Sequence, residues 1–272
     1  MSDAVADDGL PISEIGEWSL EKHDRLRKYV GISRAVRRKF ISGAGASYID
    51  LFCGPGRSRI KETGHVVDGS PLVAATAARD GKSEFTNVFV GDTDAACVQA
   101  CSSRLQSRGV ASSYFCGPAE VNATLIAHQL NRNALHFAFL DPFNLGELHF
   151  DIIRTFAQFQ RMDMLIHVSL QDLQRNLRRY IDQPDGPLDR LAPGWRAAVD
   201  ARERDELVRK NILEHWLRLI RALNMAPSEG IELVSGSRNQ RLYWLVFVAR
   251  HDLAHQFWNE IRNVTAQRRF DL

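Results

Sequence analysis

Two short stretches place acids and glycines where chemistry could be done. In YIDLFCGPGRS (residues 48–58) an apolar run stops at Asp50 and opens into Gly54 and Gly56. In FAFLDPFN (137–144) a second apolar run ends in Asp141-Pro142-Phe143-Asn144. Glycines strip a turn of side chains and let a ligand approach the backbone closely, although such a turn can also serve structure alone. An Asp leaving a strand beside a main-chain carbonyl can accept the N–H bonds of an exocyclic amine. Those acceptors matter because the amine's lone pair is delocalised into its ring, and they favour the positive charge that develops on nitrogen as it attacks. Phe143 adds a ring that can stack on a planar base for about 1–3 kcal/mol. The competing reading of the same residues is a strand end closed by an Asp-Pro turn.

Three ligands compete for the glycine turn. A P-loop needs GxxxxGK[ST], and no Lys-Ser/Thr pair follows Gly54-Pro55-Gly56-Arg57-Ser58. A dinucleotide site needs GxGxxG opening directly into a helix, with an acid about 20 residues on. Here Arg59 stands at the third glycine, the next residues (RIKETGHVVDG) read as loop, and Asp92 lies 42 residues beyond Asp50. S-adenosylmethionine carries no phosphate and so does not need a helix N-terminus beneath it. It needs close backbone contact along its methionine part and a carboxylate for its ribose hydroxyls. Gly54 and Gly56 supply the first, and Asp92, at the end of the next strand, supplies the second. The cofactor set is then Asp50, Phe52, Gly54, Gly56, Asp92 and Thr93, with backbone groups at Cys116 and Gly117.

The elements that must position these residues alternate in period. Short apolar strands are expected at 46–52, 85–91, 111–116, 134–140 and 162–170, separated by helical stretches. The first of those helices has Ser70 as N-cap, Pro71 in its first turn and Gly81 beyond its end. Apolar strands alternating with helices make a parallel sheet covered on both faces, and right-handed crossovers make it doubly wound α/β. The polar, helical stretch 171–226 reads as an elaboration, and two strands after residue 229 read as a C-terminal hairpin. The expectation is a Rossmann-like sheet of seven strands, five parallel plus a hairpin that gives one antiparallel strand, built from 20–170 and 227–272.

Composition narrows the class. With 272 residues, 25% charged, 44% hydrophobic and a net charge of +2, the chain suits an ordinary globular domain. That charge is too small to diagnose a nucleic-acid or membrane partner. No apolar run approaches the roughly 20 residues of a membrane span, and the acidic residues 1–19 read as a disordered lead-in. Cys53, Cys97, Cys101 and Cys116 form no CxxC pair and no zinc spacing, which fits a reducing cytoplasm and no metal. Residues 21–40 read as one amphipathic helix, with Leu26, Tyr29, Val30, Val36 and Phe40 on its apolar stripe. Arg25, Lys28, Arg34, Arg37 and Arg38 fall on the other face, either a solvated face or a surface for phosphates. Arg34, Arg37, Arg38 and Asn144 are therefore the candidate substrate contacts.

Taken in order, KHDRLRKYV, YIDLFCGPGRS, DGSPLVAA, FVGDTD, FLDPFN and LYWLVFVARHD resemble the three-Cys-motif partner protein family, within the class I S-adenosylmethionine methyltransferase-like proteins. The likeness runs through about residues 20–262. It implies that Asp50, Gly54 and Gly56 form the cofactor loop, that Asp92 is the ribose acid, and that Asp141, Pro142 and Phe143 are the reaction-side motif. FLDPFN also resembles the DPPY-type motif of nucleic-acid amino-methyltransferases, and more closely the DPFG of enzymes that methylate the guanine 2-amino group in tRNA, with Asn144 in place of the glycine. After the third strand, where many such enzymes place an acid on the adenine amine, this chain has Pro118. The expected activity is transfer of a methyl group from S-adenosylmethionine to a base amine of RNA or DNA. The alternative is a non-catalytic, cofactor-binding subunit that docks a three-Cys protein reminiscent of radical S-adenosylmethionine enzymes.

Overall fold

The computed structural model describes residues 5–229, 231–235 and 241–270. Strand β1 (Ser13–Ile15) leads into helices α1 (Ser19–Ile32) and α2 (Arg34–Ile41). The single helix expected over 21–40 is broken at Ser33, whose hydroxyl donates back to the Tyr29 carbonyl at 2.7 Å. Strand β2 (Ala46–Asp50) passes through the glycine turn into β3 (Arg57–Ile60) and β4 (Val66–Asp68). Then come α3 (Ser70–Asp80), β5 (Asn87–Asp92), α4 (Ala95–Ser107), β6 (Ser112–Cys116) and α5 (Ala119–Ala127). Strand β7 (Leu135–Leu140), α6 (Phe150–Phe156) and β8 (Met162–Ser169) complete the alternation. Helices α7 (Leu170–Ile181), α8 (Pro187–Leu191), α9 (Trp195–Ala198) and α10 (Asp205–Ala222) follow. The chain closes with β9 (Ala226–Pro227), β10 (Glu232–Ser235), β11 (Arg241–Ala249) and α11 (Asp252–Phe270).

The central sheet runs β10-β11-β8-β7-β2-β5-β6, with β9 added on β11. Strands β6, β5, β2, β7 and β8 are parallel, and β11 lies antiparallel to both β8 and β10. Among the described residues the sheet has eight strands where seven were expected, the extra one being the two-residue β9. The residues expected to turn between β10 and β11, 236–240, lie outside the described residues. Alternate strand residues feed two apolar clusters, one on each face, as a parallel sheet covered by helices requires. Ile49 and Phe89 join one cluster, and Tyr48, Val88 and Val90 join the other. The helical stretch 171–226 adds Leu173, Leu177, Trp195 and Trp216 to the cluster that holds Met164 and Ile166 of β8.

Two readings of the sequence are corrected here. Residues 59–69, read as loop, contain most of β3 and β4, which with β1 form a second, three-stranded sheet. Residues 5–19, read as part of a disordered lead-in, are packed: β1 pairs in parallel with β3, and Ile12 is buried. Strands of three or four residues with polar side chains leave no periodic signal, and the partner strand supplies what periodicity cannot. Among the described residues no helix is long and apolar enough to cross a membrane.

Helix α1 runs antiparallel to the strands. Lys22, near its start, meets Asp141 just beyond the carboxyl end of β7, whereas the Tyr29 hydroxyl donates to Asp163 at the amino end of β8. Everything after Tyr29 on α1 and α2 therefore lies at the amino-terminal end of the sheet.

Candidate active site

The glycine turn sits where the sheet order places it, between the carboxyl ends of β5 and β7. Asp50 is fully buried beneath it and accepts from the Phe52 N–H at 3.1 Å and the Tyr48 hydroxyl at 3.0 Å. Burial pushes its carboxyl up to about 7, although the hydrogen bonds from Ser70, Phe52 and Tyr48 pull the other way. The turn itself needs glycine, because Gly54 and Gly56 have φ of +53° and +83°. A side chain at Gly56 would meet the Cys101 backbone at 3.1 Å, whereas one at Gly54 would meet nothing within 4 Å. Gly56 is glycine for packing; Gly54 opens onto free space.

Asp92 closes the turn from the β5 side. Its Oδ2 accepts the Gly54 N–H and its Oδ1 the Asp94 N–H, both at 2.9 Å. One bond on each oxygen leaves each with acceptor capacity, which is what a vicinal diol requires. Burial raises the Asp92 carboxyl above its ordinary value, against the backbone N–H groups of Asp94, Gly54 and Thr93. Thr93 is exposed beside it, and the Cys116 thiol of β6 lies 3.7 Å from the Thr93 carbonyl. Gly117 donates to the Asp92 carbonyl at 3.0 Å with φ +150°. Phe52 is half-buried and packs against the core under the turn. Of the residues read as the cofactor set, Gly54, Asp92, Thr93, Cys116 and Gly117 border one rim, while Asp50 and Phe52 lie beneath it.

Asp141 stands across the turn, on the neighbouring strand. Both of its carboxylate oxygens accept from Lys22 Nζ at 2.7 Å, and the two side chains are 17% and 6% exposed. Burial alone would raise the Asp141 carboxyl, but the Lys22 ammonium, together with His167 and His23, more than offsets it and holds it below its ordinary value. The rings of Trp18 and Tyr243 lie 5.1 and 5.4 Å from Lys22 Nζ and share its positive charge. His167 brings Nδ1 to 3.2 Å from Asp141 Oδ1 without hydrogen-bond alignment, so both ring nitrogens are buried with no hydrogen-bond partner. Burial pushes His167 down to about 3, so it is neutral at pH 7. Phe143, two residues on from Asp141, is 92% exposed, the most open large apolar side chain on this rim. Asn144 is engaged locally: it accepts from the Gly146 N–H and donates to Glu147, both at 2.8 Å.

The basic-helix residues are not brought to this rim. Arg37 is 1% exposed and donates to the Ser83 carbonyl and hydroxyl, the Ser33 hydroxyl and the Val30 carbonyl, so it ties α2 to the loop before β5 and is corrected as a phosphate contact. Arg38 caps the end of α3 through the Gly81 and Lys82 carbonyls. Arg34 is exposed, but with Arg38 it stands at the amino-terminal end of the sheet, beyond the end of α1, which at 1.5 Å per residue lies about 15 Å along the helix from Lys22. Arg25, read as a solvated position, is 2% exposed and paired with Glu232. Lys22, His167 and Glu147 were missed in the sequence. Lys22 carried a signal: it precedes Leu26, Tyr29 and Val30 by four, seven and eight residues, which puts it on the buried stripe. Among the described residues no cluster suits a metal ion.

Asp50 gives a pH test of this geometry. A carboxyl lifted to about 7 in the folded chain holds a proton that the unfolded chain releases near pH 4. Stability from this group is therefore greatest at low pH and is lost as pH rises to about 7. Between pH 5 and pH 8 the wild type should lose about 2–3 kcal/mol relative to Asp50→Asn, from roughly two units at 1.36 kcal/mol each. Urea unfolding of both proteins at both pH values measures it; parallel pH profiles would place a solvated carboxylate at Asp50.

No family model and no curated protein matches the chain, but solved structures do. Protein LPL1258 of Legionella pneumophila, of family DUF519, superposes with a TM-score of 0.54 at 10% identity, over 89% of this chain and 91% of its own. The methyltransferase domain of bacterial CtHen1 gives a TM-score of 0.43 at 12% identity, covering 84% of this chain and 98% of its own. An S-adenosylmethionine-dependent methyltransferase of Clostridium acetobutylicum gives 0.38 at 11% identity, covering 84% and 92%. At these identities what the chain shares with LPL1258 is its fold, an α/β domain on a mostly parallel sheet.

Proposed function

We propose that this protein is an S-adenosylmethionine-dependent methyltransferase whose acceptor is an exocyclic base amine of nucleic acid. One observation carries the reading. The open glycine turn, the Asp92 carboxylate and Asp141-Pro142-Phe143 meet at the carboxyl ends of three adjacent parallel strands, β5, β2 and β7. In open α/β sheets that edge is where ligands bind. When bound, the cofactor supplies an electrophilic methyl group on a sulfonium. Gly54 leaves room for its chain, Asp92 offers acceptors to its ribose, and Thr93, Cys116 and Gly117 border the remaining rim. Asp141 keeps one acceptor site on each oxygen beyond its bonds to Lys22, and the Pro142 carbonyl adds another. These groups can hold an amine in line and favour the charge that grows on it, while the exposed Phe143 ring offers a stacking face.

A second reading is favoured by two specific features: Lys22 occupies both oxygens of Asp141, and Pro118 stands where an adenine-reading acid is often found. In that reading the chain is a cofactor-binding subunit that docks a three-Cys-motif protein in the cytoplasm. Calorimetric titration with S-adenosylhomocysteine tests what both readings share. Asp92→Ala should weaken binding about 10–150-fold, the equivalent of charge-assisted bonds worth about 1.5–3 kcal/mol. Unchanged affinity in a folded variant removes Asp92 from the site, and no binding by the wild type removes the cofactor.

A further inference from the structure

The glycine turn is held from behind by a segment with no part in the reading above. Arg104 of α4 is 4% exposed, and its guanidinium has five N–H donors in a fixed fork. All five are spent. Nε and Nη2 take the two oxygens of Asp8 at 2.8 Å, Nη2 also reaches the Leu10 carbonyl, and Nη1 donates to the carbonyls of Pro11 and Pro55. Pro55 lies between Gly54 and Gly56, so one buried cation ties the N-terminal segment to the turn itself. The tie continues into the strands. Arg57, directly after the turn, pairs with Asp7, the Ser13 and Ser58 hydroxyls bond at 2.7 Å, and β1 pairs with β3 along its length. Residues 7–22 thereby run from the back of the turn to Lys22 at Asp141, joining its two sides.

We infer that residues 7–15 form a strap that belongs to the cofactor site, and that Arg104 is a positioning residue for the Gly54–Gly56 turn. The cofactor named here rests on the proposed function; the strap's hold on the turn does not. The physical ground is that a bidentate guanidinium–carboxylate pair fixes direction as well as distance. Loss of Asp8 would leave Arg104 buried with its charge uncompensated. The Arg104 guanidinium holds the Asp8 carboxyl well below the usual carboxylate range, so the pair stays intact at ordinary pH. With the strap released, Arg104 keeps only one of its five bonds, the one to the Pro55 carbonyl, and that bond loses the direction the other four give it.

Asp8→Asn and Arg104→Lys test this, the first because it perturbs the pair from its more exposed side and keeps the fold safe if the second does not. Hydrogen exchange in the free protein reads the strap directly. Exchange over residues 51–57 should rise about tenfold or more as residues 7–15 are freed, while β7 and β8 keep their protection. Affinity for S-adenosylhomocysteine, measured well below the melting transition where a merely stabilising contact would not register, should fall about tenfold. A freed strap with unchanged exchange over 51–57 overturns the proposal, as does unchanged affinity in both variants. If the wild type does not bind S-adenosylhomocysteine, the cofactor reading falls and the exchange data alone decide the strap.

Discussion

Lys22→Met is expected to destabilise the fold by about 3–5 kcal/mol, the cost of leaving one member of a buried ion pair without its counter-ion. Both carboxylate oxygens of Asp141 are bonded to this ammonium, and neither side chain is more than 17% exposed. The effect should carry a pH signature. In the wild type the Asp141 carboxyl lies below its ordinary value, so its stabilisation is present at neutral pH and is lost as pH falls through the folded-state value. In the variant Asp141 keeps its burial but loses the Lys22 ammonium, so its carboxyl moves up and the carboxylate disfavours folding at neutral pH, a cost relieved on protonation. Because the unfolded carboxyl is common to both proteins, the gap should be widest above the variant's raised folded-state value, narrow as pH falls below it, and close only below the wild type's lowered one. Adding Asp141→Asn to Lys22→Met should recover much of the loss. Urea unfolding of the four proteins of this cycle reads all of it, and a gap under about 1 kcal/mol at pH 7 would mark a solvated, dispensable pair.

The same ion pair shows where sequence reasoning stops. The frame of the fold was legible, because strands buried on both faces read as unbroken apolar runs, and the predicted strands 46–52, 85–91 and 134–140 end within two residues of β2, β5 and β7. Once strand order is set, the two motifs must face one another, so spacing in the chain sufficed for Gly54, Asp92 and Asp141. Charges were misread for the opposite reason. A helical stripe was assigned from apolar residues alone, so Arg25 and Arg37 fell on the face read as solvated or phosphate-binding, and Lys22 was not singled out. Each is buried because a long side chain can lie along an apolar surface and end in a partner supplied by a distant element: Asp141, Glu232 and Ser83. No local pattern contains those partners. The strap was missed on similar grounds, since β1 has three residues and is placed by β3, while the residues before it are held by Arg104, more than 90 positions away in the chain.

Asp141→Ala separates an enzyme from a cofactor-binding subunit. If Asp141 and the Pro142 carbonyl hold the acceptor amine, truncation should lower methyl transfer by about 10²–10³, the scale for losing one preorganised polar group. Affinity for S-adenosylhomocysteine should stay within a few-fold, because Gly54 and Asp92 lie on the other side of the turn from the lost carboxylate. Truncation also leaves Lys22 buried without its counter-ion, so the comparison is made on protein shown to be folded. Asp141→Asn sharpens it. The amide keeps one acceptor oxygen but gives up the charge and one of the two bonds to Lys22, so its rate should fall between wild type and Ala. Tritiated methyl transfer to total cellular RNA and DNA, with and without a three-Cys-motif protein, is the measurement. Transfer only in the presence of that protein would make the site half of a two-component enzyme. Normal transfer by folded Asp141→Ala would take the carboxylate out of the reaction and leave Phe143 and the Pro142 carbonyl as the acceptor contacts. With no transfer under any condition but intact cofactor binding, the Lys22 clamp becomes the resting state of a site that binds its ligand and does not turn it over.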